Sequence, residues 1–263
     1  MKNCSEKDIA GYEKLMPDNY PSGGDLIVEI GCFFLNSPYR EGTLESAGKE
    51  KLVANMSAFD CSTFVDTVLA LAVSTLAGRM SSSVFRKCLK LVRYRGGKID
   101  GYASRLHYFT DWLLDNKKKK LISDISRQAG GKPQRKKIHF MTAHRDLYPA
   151  LKNENEIQKL RYVEKNLSRR IFHIIDKENI TEISSKIRSG DIVAFNTSED
   201  GLDVSHVGFA VRRRKNVYLL HASSKEGAVV ISRKTLSAYA RSKMNCTGII
   251  LARLNETQIS GTK

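Results

Sequence analysis

Long apolar runs are missing from this chain. Nowhere do about 18 apolar residues follow one another, so no transmembrane helix is expected. Cysteine is scarce, with five in 263 residues (Cys4, Cys32, Cys61, Cys88 and Cys246), and the odd number leaves at least one thiol free. A disulfide scaffold is not expected in a chain this long and this poor in cysteine. No CxxC pair and no Cys/His cluster has the spacing of a zinc site, so neither a metal nor a cofactor is expected. The opening Met1-Lys2-Asn3-Cys4-Ser5-Glu6 lacks the apolar core of a signal peptide. Two readings follow: a cytoplasmic protein, or one whose leader has been removed.

Acidic residues are the minority, 28 against 44 Lys and Arg, for a formal charge of +16. The excess is uneven. Residues 1–60 hold 6 basic and 10 acidic residues, and the remainder holds 38 and 18. Such a surface steers polyanions toward it: nucleic acid, anionic lipid or the carboxylate-bearing polymers of a cell envelope. A nucleic-acid binder is not supported, because no zinc-finger, RRM, KH or helix-turn-helix signature is present and no aromatics interleave the basic runs. Those runs, Lys117–Lys120, Arg135–Lys137 and Arg212–Lys215, stand beside Gly, Asn or Pro and read as solvated loops.

No internal repeat is visible. Turn residues dominate to about residue 55, around an apolar stretch at 25–35 that suits a helix or a buried strand. Residues 62–77 are apolar nearly all round and stop at Gly78, as in a helix buried on most sides; Asp60 and Ser62 are N-cap types. Further helices are expected over 81–93 and 105–114. From residue 187 the pattern turns to short strands at 191–195, 205–211, 216–222, 228–232 and 248–253, an antiparallel sheet. Helices first and strands last make the class α+β. The expected organisation is a monomer with an N-terminal extension (1–24), one domain (25–254) with helical insertions, and a C-terminal tail (255–263).

Cys61 stands at the N-terminus of the buried helix, where the partial positive charge favours a thiolate. The alternative is an inert core thiol. His206 and His221 lie on consecutive strands. A hairpin turning at Arg213-Arg214 sets them directly opposite on one face, so that one imidazole can orient the other. A structural pair is the alternative. A larger loop shifts the register, and even shifts keep both on one face.

Taken together, a Cys opening a buried helix, a His-Val-Gly strand and a polar residue on the next strand resemble the papain-like NlpC/P60 superfamily. Pro38-Tyr39-Arg40-Glu41-Gly42 is similar to its Pro-Tyr-x-x-Gly element. Five blocks look like one branch, the N-acetylmuramoyl-L-alanine amidase-like family long called DUF1460. They are Gly42–Glu45, Phe59–Asp66, Ser104–Phe109, Asp200–Gly208 and Leu220–Ser223. The resemblance runs from about residue 25 to 254.

That resemblance implies a papain-like α+β fold with N-terminal helices packed on the C-terminal sheet. It also implies a metal-free cysteine hydrolase of bacterial peptidoglycan, exported or periplasmic, acting on muropeptides. Cys61 would attack the amide carbonyl through a thiolate–imidazolium pair, His206 would serve as base and acid, and His221 would orient His206. Backbone N–H groups at the helix start would hold the oxyanion. Tyr39 would lie beside the nucleophile; Glu45, Arg105, His107 and Ser205 would contact substrate. Arg105 suits a stem-peptide carboxylate or, equally, an internal ion pair with Glu45 or Asp60. His107 and His144 suit the cleft or a structural role, and His139 and His173 a structural or exposed one. The branch implies cleavage between the muramic lactyl group and L-alanine. The wider superfamily, which usually writes Asp-Cys-Ser-Gly where this chain has Asp-Cys-Ser-Thr, more often cuts the γ-D-glutamyl–diamino acid bond.

Overall fold

The computed structural model describes residues 20–45, 48–78 and 81–260, so Cys4 and most of the expected extension lie outside the described residues. The ambiguous stretch at 25–35 is a helix, α1 (Gly23–Phe33). Ser22 decides it: its extended backbone and hydroxyl cap Asp25 N at 3.2 Å.

The apolar helix α2 runs from Cys61 to Leu76. Asp60 and Thr63 form a reciprocal capping box, with Asp60 Oδ1 accepting from Thr63 N at 2.7 Å and Thr63 Oγ1 accepting from Asp60 N at 2.9 Å. Every residue from Thr63 to Ser74 is buried. The hydroxyl of Ser74 is satisfied within the helix by the Ala70 carbonyl at 2.8 Å, so this interior position carries no unpaired group.

Helix α3 (Ser82–Arg93) starts at the Ser81 cap, as expected. The next helix does not start at 105. Residue 105 instead bridges to Tyr94, and Leu106 N donates to Arg93 O at 2.9 Å, which holds 105–108 extended. The helix α4 therefore spans Phe109–Lys118. The basic run at 117–120 is also not a free loop. Lys119 packs back to donate to the carbonyls of Leu91 and Tyr94 and to pair with Asp115. Arg212, in the third run, likewise donates to the Ile187 carbonyl at 2.6 Å.

Residues 119–187, where the sequence offered no clear period, contain β1 (Ile122–Asp124), β2 (Lys132–Gln134), α5 (Glu154–Ser168) and β3 (Phe172–Asp176). The expected strands follow as β4 (Ile192–Thr197), β5 (Val204–Arg213), β6 (Asn216–Ser223) and β7 (Ala228–Ile231). A short helix α6 (Leu236–Arg241) then leads to β8 (Cys246–Leu254). The expected tail contributes a last helix, α7 (Glu256–Ser260). It is not a loose extension, because Ile259 joins the core and Glu256 accepts from Gly23 N.

All pairings are antiparallel, in the order β2-β3-β8-β4-β5-β6-β7, with β1 also on β8. One face of the sheet buries Val207, Phe209, Val211 and Leu220 against α1 and α2. The other buries Val193, Phe195, Ala210 and Leu219 under α6 and the segment around Ile180–Ile187. The alternation along β5 assigns each side chain to its face.

Between α2, α3 and α4 lies a buried ion pair. Asp66 accepts from Arg93 Nε at 2.7 Å and from Trp112 Nε1 at 3.0 Å, and Arg93 also reaches the Val53 carbonyl at 2.5 Å. The pair locks three helices in register. Asp66→Ala should lower unfolding free energy by about 3–5 kcal/mol, because it strands the buried Arg93 charge. A shift in urea midpoint with unchanged slope checks this; a loss below about 1 kcal/mol would contradict it.

Candidate functional site

Capping by Asp60 makes Cys61 the first residue of α2 and leaves the thiol partly exposed in a cleft of about 620 Å³. The sulfur receives backbone N–H groups from Ser62 and from Val207, and Ser62 Oγ lies 4.0 Å away. The contact with Val207 carries much of the argument, since it presses the helix start against β5 one residue from His206. His206 lines the same cleft.

The hairpin register differs from expectation. Arg213 pairs with Asn216 and Phe209 with Leu220, so the loop is Arg214-Lys215, and Arg214 takes the left-handed conformation (φ +54°) that such tight turns require. Continued along the strands, this register sets His221 opposite Gly208, and His206 two pairs further on, opposite Ser223. The two histidines are diagonal neighbours on one face, not opposed. Gly208 makes this possible: a Cβ there would meet His221 Cβ at 2.8 Å and Leu220 O at 2.7 Å. With nothing between them, His206 Nε2 and His221 Nδ1 approach to 2.7 Å, their rings edge to face. This bond occupies Nε2 of His206 and leaves its Nδ1 for a partner in the cleft. A register shift between Phe195 and Asn196 places a bulge just before His206, the kind of irregularity that re-aims a side chain.

Both imidazoles rest neutral. Burial pushes His206 down to about 3, helped by His221 and Lys243, and pushes His221 down to about 4, helped by Lys243. Burial pushes the Cys61 thiol up to about 11, and the neighbouring Asp60 carboxylate adds to it. The helix N-terminus therefore does not leave a thiolate in the empty cleft. Burial disfavours the charged form of both the thiol and the imidazole, and at Cys61 the carboxylate that caps the helix adds to it.

The remaining expected residues divide. Tyr39 pairs through its backbone with Phe59 and lies close enough to Cys61 for the sulfur to raise its hydroxyl, after burial; Glu41 accepts from that hydroxyl at 3.1 Å. Glu45, His107 and Ser205 line the cleft. Arg105 lines it too, but its guanidinium is committed internally: to Glu45 at 2.8 Å and to Glu50 at 2.8 and 3.1 Å. The internal pair, with Glu50 added and Asp60 absent, replaces the reading of Arg105 as a free anion binder. His107 rests on Tyr102 and bonds its carbonyl at 2.9 Å through Nε2; burial pushes it down to about 3. His144 bonds the Phe140 carbonyl, His139 pairs with Asp200, and His173 sits on β3; none lines this cleft.

Two further contributors were not among the expected site residues, although Asp203 stands in the Asp200–Gly208 block. Tyr239 of α6 stands over the histidine pair, 5.2 Å from the His221 ring centroid and 6.2 Å from that of His206. Burial, with Cys61 second, pushes its hydroxyl up to about 12. Asp203 accepts from Thr110 N at 2.7 Å, Thr110 Oγ1 at 2.8 Å and Val204 N at 2.8 Å. It ties the start of β5 to the first turn of α4 and so fixes one cleft wall to the other.

Comparison with known proteins follows this geometry. The sequence pattern of the AmiA-like family, described as N-acetylmuramoyl-L-alanine amidase-like, matches residues 29–249. An N-acetylmuramoyl-L-alanine amidase structure from Bacteroides uniformis is 36% identical, with a TM-score of 0.84 over 88% of this chain and 98% of that one. A Bacteroides fragilis structure described as a candidate xylanase is 37% identical, with a TM-score of 0.81 over 86% of this chain and 99% of that one. Protein LPG0564 of Legionella pneumophila, described as DUF1460, is 23% identical, with a TM-score of 0.69 over 95% and 92%, and shows the same fold. No curated protein matches.

The buried neutral histidines fix an acid limit. Above about pH 6.5 neither folded nor unfolded chain protonates them, so they contribute nothing. Below it the unfolded chain takes up protons, while the fold does not until about 4 and then 3, so stability falls as pH drops through this window. His107→Gln should flatten that slope in urea titrations between pH 6.5 and 4; an unchanged slope would refute the assignment of a neutral, buried His107. The alkylation rate of Cys61 by iodoacetamide should rise about tenfold per pH unit through neutrality. A plateau already at pH 6 would mean a resting ion pair.

Proposed function

We propose, for a chain that belongs to the AmiA-like, N-acetylmuramoyl-L-alanine amidase-like family, a cysteine mechanism directed at the amide between N-acetylmuramic acid and L-alanine. Family membership supports a peptidoglycan amidase in general; the mechanism and the bond are the proposal. The observation that carries it is the seam of α2 against β5, with the Val207 N–H on the Cys61 sulfur and the His206–His221 contact of 2.7 Å in register beside it. This arrangement also supports the papain-like NlpC/P60 reading of the fold.

In the proposed reaction His206 Nδ1 takes the thiol proton as the sulfur attacks the lactyl carbonyl. The proton arriving on one nitrogen is balanced at the other, since Nε2–H donates to His221 Nδ1 and orients the ring. A neutral starting pair is an advantage in a buried cleft, because charge develops only as the tetrahedral oxyanion forms. In this proposal the Cys61 N–H, which neither the helix nor the cap uses, holds that oxyanion, joined by the Ser62 N–H as the sulfur it rests on bonds the carbonyl; Thr63 N is taken by the cap. The proton then passes to the leaving L-alanine nitrogen, and water hydrolyses the thioester by the same base.

Glu45 is a wall residue with an open side and a fixed carboxylate, held by Arg105 at 2.8 Å, and His107 and Ser205 complete the contact surface. A glycosidase reading, as for the Bacteroides fragilis relative, needs one protonated carboxylic acid facing a second carboxylate. Glu45 is taken by Arg105 and Asp60 by the helix cap, which disfavours it. The substrate places the working protein outside the cytoplasm, in the periplasm; fractionation of cells expressing the full-length gene checks this.

Incubation with a muramoyl tripeptide and mass spectrometry of the products tests the bond. Release of free tripeptide is expected. Release of the diamino acid alone would give the γ-D-glutamyl–diamino acid endopeptidase instead. Cys61→Ala should abolish release with an unchanged urea midpoint, whereas Cys88→Ala should retain it. Activity surviving in Cys61→Ala would overturn the cysteine mechanism.

A further inference from the structure

The cleft has two arms that meet at Ser205 and His206, and they differ in charge. The larger arm is lined by the carboxylates of Glu41, Glu45, Asp60, Asp66 and Asp203. Its two guanidinium groups are already spent, Arg93 on Asp66 and Arg105 on Glu45 and Glu50. The smaller arm, about 300 Å³, has no carboxylate in its lining. Its one basic side chain is Lys243, set among Ser223, Ser224 and Asn245. Lys243 is exposed, and among the described residues no carboxylate lies within 4.0 Å of its ammonium. The ammonium is parked 5.1 Å from the centroid of the Tyr239 ring, over its face, and that ring stands 6.2 Å from His206.

The proposed substrate is equally asymmetric. On the acyl side of the scissile amide is a muramic lactyl ether on a neutral sugar. On the amine side is a peptide that carries carboxylates, the first on its second residue when that is a γ-linked glutamate. An extended chain advances about 3.5 Å per residue, so this carboxylate falls one to two residue lengths from the reacting nitrogen. An anionic peptide in the larger arm would face five carboxylates with no free cation. In the smaller arm it meets an unspent ammonium, while the larger arm, with Phe109, Leu147 and Leu202 in its wall, offers apolar surface to sugar faces.

We propose that Lys243 binds the first free carboxylate of the stem peptide, and so sets the direction in which the substrate lies: sugar in the larger arm, peptide in the smaller. This rests on the amidase reading above. Lys243 is a specificity-determining residue here, not a participant in bond breaking. The ammonium leaves the Tyr239 ring for the carboxylate, a charge-assisted contact being the stronger of the two.

Two muramoyl dipeptides that differ only in a carboxylate or a carboxamide on the second residue make the test, with the purified full chain and its Lys243→Met and Lys243→Arg variants. The native protein should favour the carboxylate about tenfold in kcat/KM, chiefly through KM. Lys243→Met should lose about tenfold on the carboxylate and less than twofold on the carboxamide, and Lys243→Arg should keep the preference. Equal losses on both substrates, or no preference in the native protein, would overturn the assignment of Lys243 and leave the amidase standing. Failure of the native protein to cut either dipeptide or the tripeptide would remove the amidase reading, and this assignment with it.

Discussion

Everything in the cleft depends on how the first turn of α2 is held. Asp60 caps the helix from outside and Thr63 returns the bond, so the chain cannot unwind at Cys61 without losing two hydrogen bonds together. The buried body of the helix fixes its axis, and the Asp66–Arg93–Trp112 cluster fixes its rotation against α3 and α4. What remains is a sulfur pinned at one point, against the Val207 N–H, with little freedom to move away from β5. Packing thus does the positioning, and the reactive group itself contributes almost none of it.

The same cap has an electrostatic cost. A carboxylate is among the best helix caps and one of the worst neighbours for a thiol that must lose its proton. The structure reconciles the two through neutrality on both sides. Burial keeps imidazole and thiol uncharged, and in the proposed mechanism the proton moves only as a carbonyl receives the electron pair of the sulfur. Lys243 works in the same sense by disfavouring charge on His206 and His221. The diagonal placement of the histidines across Gly208 gives the base a partner while keeping that partner out of the cleft proper.

How much of this was legible in the sequence follows from the range of each signal. The boundaries of α2 and α3 were readable to within a residue, since an apolar period and a serine or aspartate cap are local. The five late strands were readable to within two residues at each end. The helix at 109–118 was misplaced because Arg105 and His107 belong to tertiary contacts, with Glu45, Glu50 and the Tyr102 carbonyl, that override a good local period. The pairing of His206 with His221 was legible as a shared face and not as a register, because composition does not tell which two residues of the basic run 212–215 make the loop. Tyr239 and Lys243 could not be found at all: one stands on a six-residue helix on the far face of the sheet and the other in the turn just after it, in a stretch whose residues look like any surface turn. The family resemblance supplied the blocks around Cys61, His206 and His221 and was silent about these two.

Strand order adds a consequence in time. The strand β8, last of the eight in sequence, lies between β3 and β4 near the middle of the sheet. A ribosome therefore releases the helices, then the β4–β7 meander with both histidines, and only at the end the strand that joins the meander to β3. Until Cys246–Leu254 emerges, the meander has an open inner edge where its most buried partner belongs. The sheet that carries the cleft therefore closes only once β8 is in place, and a product cut short before Cys246 is an unfinished sheet and not a smaller enzyme.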